Sequence, residues 1–453
     1  MDIPGFDGLL VTPEHPEYEA SRAVWNGVID RRPAVIARCT NTSDVAAAIR
    51  FARQRDLIIS VRGGGHGVSG AAMNNGGLVV DCSGMKAITV DPQMRVARAE
   101  AGVLWGEFDA ATQAYGLATT GGIVTHTGIA GLTLGGGIGW LMRKFATTAD
   151  NLIGADVVTA GGERLRASED ENEDLFFGLR GAGANFGVVT SFEYRLHELG
   201  PTVLAGPVVW ALEDAPEVLR FLRHFVIEAP DELTTIAKVG KLPPLPIIPE
   251  ELRGRPFVQI GSCWAGRPDD GEIALKPLRA FGRPLLDLVA EKPYVANQAA
   301  NDPTVPHGWH YYWKSTDITG LEDGAIDGIV EHATAIESPR SYALIFQLGG
   351  ALARIDEDAT AYSHRSAAFN VNINGVWLPD EPIAEQEIAW TRGFFDALEP
   401  WQAGVYVNFL GEEGEARVRT AYGEAKYGRL VALKDRFDPD NVFRMNQNIT
   451  PSH

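Results

Sequence analysis

The chain has 453 residues, 45% of them hydrophobic, with 40 Lys and Arg against 59 Asp and Glu for a formal net charge of −19. That length exceeds one ordinary core, so two domains are expected. The acidic balance argues against nucleic acid or an anionic membrane as partner, because phosphate affinity needs clustered Lys and Arg.

In chain order, the opening Met1-Asp2-Ile3-Pro4-Gly5 has neither a basic nor an apolar leader region, and no apolar run reaches the ~20 residues that span a bilayer. Cys39, Cys82 and Cys263 are scattered without metal-ligand spacing, so no metal is expected and a soluble, cytoplasmic protein is. Val35-Ile36-Ala37-Arg38 reads as a strand, and Ser43-Asp44 as the cap of a helix through Ala46-Ala47-Ala48-Ile49. Ile58 to Val61 is a strand that feeds Arg62-Gly63-Gly64-Gly65-His66-Gly67. Further strands are expected at Gly77–Asp81 and, as a hairpin around Pro92, at Ala87–Asp91 and Val96–Ala99. A helix follows over Val103–Tyr115, then a hairpin at Gly161-Gly162 and a strand over Phe186–Tyr194.

From about 200 to 405 proline, tryptophan and tyrosine increase and glycine clusters thin out. Period-two alternation puts His310, Tyr312 and Lys314 on one strand face, Asn370, Asn372 and Asn374 on another, and Tyr406 with Asn408 on a third. Pro243 to Pro249 reads as a stiff surface connection. The stretch Asp438–Pro451 is polar and turn-rich, and is expected to return to the first half.

Three consecutive glycines free the backbone to take φ > 0 and turn N–H groups inward, a geometry suited to an anionic diphosphate. A second dense tract runs from Gly128 through Gly131, Gly135 and Gly137 to Gly139-Trp140. Two such tracts suggest a long, folded-over nucleotide cofactor, with His66 at the loop edge close to whatever the diphosphate carries.

At these residues the chain resembles the berberine-bridge-enzyme-like flavoprotein oxidases of the vanillyl-alcohol-oxidase/PCMH superfamily. The resemblance spans nearly the whole chain and is strongest at Arg62–His66, at Gly128–Trp140 continued by Asp150-Asn151-Leu152 and Asp174–Thr190, and at Phe437–Phe443 with Asn446 and Asn448. It implies an α+β fold: a PCMH-type, two-lobed FAD-binding domain over residues 1–200, an α/β substrate domain with an antiparallel sheet over 201–409, and a C-terminal segment, 410–453, returning to the FAD domain.

It also implies FAD linked through its 8α-methyl to His66. Val124 stands where many members carry a second, cysteinyl attachment, so a single bond is expected, and Thr127 occupies a place linked to oxygen access. The expected FAD contacts are Arg62, Gly63, Gly64, Gly65, Gly67, Ser69 and Gly70 in the first tract. Around the second they are Thr120, Gly122, Thr125, His126, Gly128, Ile129, Gly131, Leu132, Gly135, Gly137, Gly139, Trp140 and Asn151. Val188, Val189, Asn408, Asn446 and Asn448 complete the set.

Oxidising a C–H beside O–H or N–H needs a proton acceptor while hydride leaves. Tyr406 is the first candidate, with Tyr312 a rival and Lys314 able to lower a tyrosine's pKa; Gln347 and His364 are further pocket candidates. Phe409 stands where some carbohydrate-oxidising members carry a tyrosine. The expected function is hydride abstraction from an alcohol or amine of a sugar or secondary metabolite, with O2 reduced to H2O2. A dehydrogenase with another acceptor and a non-catalytic flavin- or ligand-binding protein remain open, as does the oligomeric state.

Overall fold

The computed structural model describes residues 2–411 and 413–453. Strands β1 (Leu9–Val11), β2 (Val35–Arg38), β3 (Ile59–Arg62) and β4 (Leu78–Asp81) form a sheet in the order β1-β2-β4-β3, with β4 parallel to both neighbours. Leu78-Val79-Val80 is buried throughout, as an apolar run covered on both faces should be. The helix Thr42–Gln54 buries Val45, Ala48, Ile49 and Phe51 on this sheet. Its cap is Asn41, not Ser43 or Asp44: the Asn41 side chain accepts from both backbone N–H groups, at 2.7 and 3.0 Å. Asp44 is instead buried, accepting from the N–H groups of Asp7 and Thr40.

A second, antiparallel sheet takes β5 (Ile88–Asp91), β6 (Val96–Glu100), β8 (Leu152–Val158), β9 (Arg164–Ser168) and β10 (Val188–Arg195) in the order β5-β6-β10-β8-β9. The short strands β7 (Leu117–Ala118) and β11 (His197–Glu198) pair beside it.

The rest of the fold is one nine-stranded antiparallel sheet. Its strands are β12 (Thr202–Ala211), β13 (Leu233–Lys241), β14 (Pro256–Trp264), β15 (Leu286–Asp287), β16 (Ala290–Pro293), β17 (His310–Ile318), β18 (Tyr342–Gln347), β19 (Phe369–Trp377) and β20 (Gln402–Gly404). The order is β15-β12-β14-β13-β18-β19-β17-β20, with β16 also on β12. Alternation divides the side chains between two covered faces. Ala237, Val239, Ala343, Ile345, Val371 and Ile373 pack against helices Ala215–Phe225, Asp323–Thr334 and Ala384–Ala397. Ile236, Cys263 and Phe346 face the first half, where Trp140 and Leu141, together with Tyr406 from beyond the sheet, meet them.

The chain returns as expected. Val418, Leu430, Leu433, Phe443 and Ile449 belong to the same core as Val35, Ile49 and Leu175. Lys434, fully buried, fixes the return: its ammonium pairs with Asp438 at 2.7 Å and donates to the carbonyls of Asn185 and Phe443, each at 2.9 Å. Two buried arginines tie the halves together. Arg365 pairs with Asp150 at 2.7 Å, and Arg143 donates to the carbonyls of Leu233, Leu348 and Ala229. Among the described residues, no helix is long and apolar enough to cross a membrane.

Candidate active site

The two glycine tracts cross. A Cβ on Gly64 would lie 2.5 Å from the backbone N and Cα of Gly128, and one on Gly128 would lie 2.5 Å from Gly64 N. Only two residues without side chains can approach so closely. The second tract is fixed in place by Ile129 N–H donating to Val103 O at 3.0 Å and Trp105 N–H to Thr127 O at 2.9 Å. Gly65, at φ +67°, lies in the left-handed region and lets the chain turn back toward Trp25, whose N–H donates to Gly65 O at 3.1 Å.

His66 emerges at this turn. Its ring stacks on Trp25 at 4.2 Å and 14°, and Trp25 stacks in turn on Tyr311. His126 lies 5.0 Å from His66, and His307 4.9 Å from His126, centroid to centroid. Burial pushes the His66 pKa well below its ordinary value, and the neighbouring His126 and His307 add to the effect. Its Nε2 has no hydrogen-bond partner. A neutral, clamped imidazole with an unpartnered nitrogen therefore lines the adjoining space. Among the described residues, no cluster of His, Cys, Asp or Glu is arranged to hold a metal.

That space is a cavity of about 290 Å3 between the glycine crossing and the inner face of the nine-stranded sheet. His66, Gly64, Gly128, Gly131, Leu132 and Thr127 line one side; Lys238, Trp313, Tyr342, Phe346 and Asn372 line the other. A hollow of about 180 Å3 shares Val61, Gly67, Gly131 and Asn408 with it and reaches Asn446. A third, of about 410 Å3, continues past Ser69 to Asn446 and Asn448, whose Oδ1 atoms are buried without partners. The run from His66 to the tail thus offers a glycine cradle, free acceptors and an unpartnered imidazole, and these residues fit a folded-over flavin dinucleotide.

Tyr406 and Asn408 meet at the cavity, though not on a strand. Residues Val407–Phe409 form a 3-10 turn, because the chain bends there as it leaves the sheet for the first half. Asn408 Nδ2 donates to Tyr406 Oη at 2.8 Å and to Leu132 O at 3.0 Å, and Gly137 N–H donates to the same phenol oxygen at 2.8 Å. Burial nevertheless pushes the Tyr406 pKa up to about 12, outweighing those donors. The phenol keeps its proton at neutral pH, which disfavours it as a base.

Tyr312 and Lys314 share a face as expected, but it is the wrong one. Tyr312 Oη accepts from Arg392 Nε at 2.9 Å and Lys314 pairs with Glu413 at 2.9 Å, both on the helix side of β17. Trp313, between them, points into the cavity. Gln347 accepts from Thr235, and His364 Nε2 lies against Thr420 O; neither lines the cavity.

Several expected cofactor contacts also hold the scaffold. Arg62 donates to Ser21 O, Thr120 to Ala146 O, Thr125 to Asp302, and Asn151 to the carbonyls of Phe145 and Thr147. Ile129, Val188 and Val189 are core residues, and Trp140 packs at the junction of the halves. Gly70 turns at φ +68° against Ile29, and Gly135 and Gly139 let Asn408 and Gly121 approach. Gly122 lines the cavity. The cavity-lining residues that sequence reasoning did not single out are Trp25, Lys238 and the aromatic wall of Trp313, Tyr342 and Phe346.

Two families match this chain: the FAD binding domain over residues 33–168, and "berberine and berberine like" over 405–450. An FAD-linked oxidoreductase of Dictyostelium discoideum is 30% identical over 98% of this chain and 95% of its own length. The (R)-6-hydroxynicotine oxidase of Paenarthrobacter nicotinovorans is 31% identical over 98% and 97%. The crystal structure of 6-hydroxy-D-nicotine oxidase from Arthrobacter nicotinovorans superposes with a TM-score of 0.90 at 30% identity, covering 99% of this chain and 98% of that one.

Proposed function

From its membership of the FAD-linked, berberine-like oxidoreductases of the vanillyl-alcohol-oxidase/PCMH superfamily, we propose that His66 anchors FAD through an 8α bond, with no cysteinyl bond. An alcohol or amine substrate then binds between His66 and the nine-stranded sheet. The chain is an FAD-linked oxidoreductase acting on CH–OH or CH–NH donors. What supports the attachment is His66 itself, neutral, stacked on Trp25 and unpartnered at Nε2 in the cavity wall. Val124, in the same wall, offers no second nucleophile. The glycine crossing and the tail asparagines would hold the dinucleotide.

Bound there, FAD supplies a two-electron acceptor that takes hydride, and the protein supplies position and electrostatics. Tyr406 receives N–H donors from both Gly137 and Asn408, so the donor left to it is its own O–H. It orients the substrate heteroatom from the cavity side. Trp313, Tyr342 and Phe346 exclude water from the reacting carbon. A relative named as a 6-hydroxynicotine oxidase supports an amine or alcohol donor. Dioxygen is the proposed acceptor; the residue at the oxygen-access position, Thr127, lines the cavity, which keeps another acceptor as the second reading. The same reading assigns residues 1–200 and 410–453 to the FAD domain and 201–409 to the substrate domain. The three buried free cysteines support a reducing, cytoplasmic setting.

The test is acid precipitation. The wild-type pellet should stay yellow, whereas His66→Ala should release all its flavin to the supernatant. A colourless wild-type pellet would refute the covalent bond. Peroxide release in air, against reduction of a quinone without air, separates the two acceptors.

A further inference from the structure

The inner face of the sheet carries one charge with no ion-pair partner among the described residues. Lys238 on β13 lies in register with Leu344 on β18, and Leu344 with Asn372 on β19. Lys238 and Asn372 therefore point to the same side, with their Cα atoms about 10 Å apart at ordinary strand spacing. Among the described residues lining the cavity, Lys238 is the only Lys, Arg, Asp or Glu. Its Nζ lies 4.3 Å over the Tyr342 ring, and burial alone pulls its pKa down to about 8. At neutral pH it is still a cation.

Asn372 adds a second unmet donor. Its Oδ1 accepts from Asn374 Nδ2 at 2.9 Å, while its own Nδ2 is buried without a partner. Lys238 is half-buried at the cavity wall, and an orphan amide beside it is costly inside a protein. Finding them on one wall, facing an aromatic cavity, points to a ligand group that satisfies both.

We propose that Lys238, with Asn372, anchors a carboxylate carried by the substrate. The compound oxidised is then an anionic alcohol or amine on an apolar or aromatic frame, not a neutral sugar. This inference rests on the reading that the cavity receives the substrate. Lys238 and Asn372 are specificity-determining residues that bind the end of the molecule remote from the oxidised carbon.

The test is calorimetric titration of the flavin-loaded protein with benzoate, phenylacetate and 3-phenylpropionate, each beside its neutral primary amide. At pH 7 at least one acid should bind ten-fold or more tighter than its amide. The acid is ionised throughout, so the titrating partner is Lys238: binding needs its proton and is lost as pH rises through about 8. Kd should then rise about ten-fold per pH unit. Other groups facing Lys238 do not interfere. Leu344 and Gln259 are uncharged, and burial pushes the Tyr342 hydroxyl up, so it stays protonated. Across the cavity, burial pushes His66 down, as it does His126 and His307 behind it, so they are already neutral.

K238M should erase the preference for the acid, weakening the acid far more than the amide; K238R should keep part of it. Flavin content and melting temperature show that each variant is folded. Equal binding of acid and amide, no acid bound at 10 mM, a preference that survives in K238M, or a flat pH dependence above 8 would each overturn the proposal. A colourless protein would instead sink the flavin reading, which the titration does not touch.

Discussion

Replacing Lys434 by Met removes the cation that holds the returning tail. Lys434 and Asp438 are both 0% exposed. The ammonium pairs with Asp438 Oδ2 at 2.7 Å and satisfies the carbonyls of Asn185 and Phe443. Met fills a similar volume but leaves a buried carboxylate whose remaining donors are the N–H groups of Val442 and Phe443. Breaking a buried pair from one side costs about 3–5 kcal/mol. With an unfolding entropy of roughly 2.1 cal/mol/K per residue, the chain gains about 1 kcal/mol/K on melting, so Tm falls by about 3–5 °C. Asn446 donates to Phe443 O and borders the tail hollow, so flavin fluorescence should also rise as the tail loosens. The K434M/D438N double variant leaves no charge stranded and should melt above K434M. The reasoning fails if K434M melts within about 1 °C of wild type, or if the double variant is less stable than either single one.

Gly64→Ala drives a methyl into the backbone of Gly128, which cannot rotate away; a cost of about 1–3 kcal/mol is expected, with flavin content, read as the ratio of 450 to 280 nm absorbance, falling below half of wild type. Asp109 is buried and its pKa is pushed up to about 7 by burial, against a lowering hydrogen bond from Gln298 at 3.0 Å. Its folded pKa exceeds the unfolded one, so its contribution is fully present below pH ~4 and is lost as pH rises through about 7. The wild-type Tm should therefore drop more between pH 5 and 8 than that of Asp109→Asn; parallel curves would contradict this.

The glycine tracts and His66 were legible because their chemistry is local: a run of residues without Cβ, directly after a strand, has few other uses. The tail was legible for the same reason. The sheet was harder. Alternation correctly groups His310, Tyr312 and Lys314, but both faces of β17 are covered, one by helices and one by the first half, so polarity alone does not say which face sees the cavity. Lys238 was hidden because a lysine in the middle of Leu233–Lys241 resembles any half-exposed strand residue, and its isolation exists only in three dimensions. Tyr406 and Asn408 were paired rightly from a wrong local structure: they meet across a 3-10 turn because Asn408 reaches back to Leu132.

The first core is built from both extremes of the chain, with Val35 and Ile49 packed among residues as late as Leu430 and Ile449. A ribosome therefore releases the whole nine-stranded sheet, Thr202 to Gly404, before the tail hollow beside Asn446 and Asn448 has its last wall. Folding of domains during synthesis runs from the N-terminus, but here the earliest strands must wait for the latest helices. Completion of the first core thus depends on segments made well after the sheet, among them Glu424–Phe437.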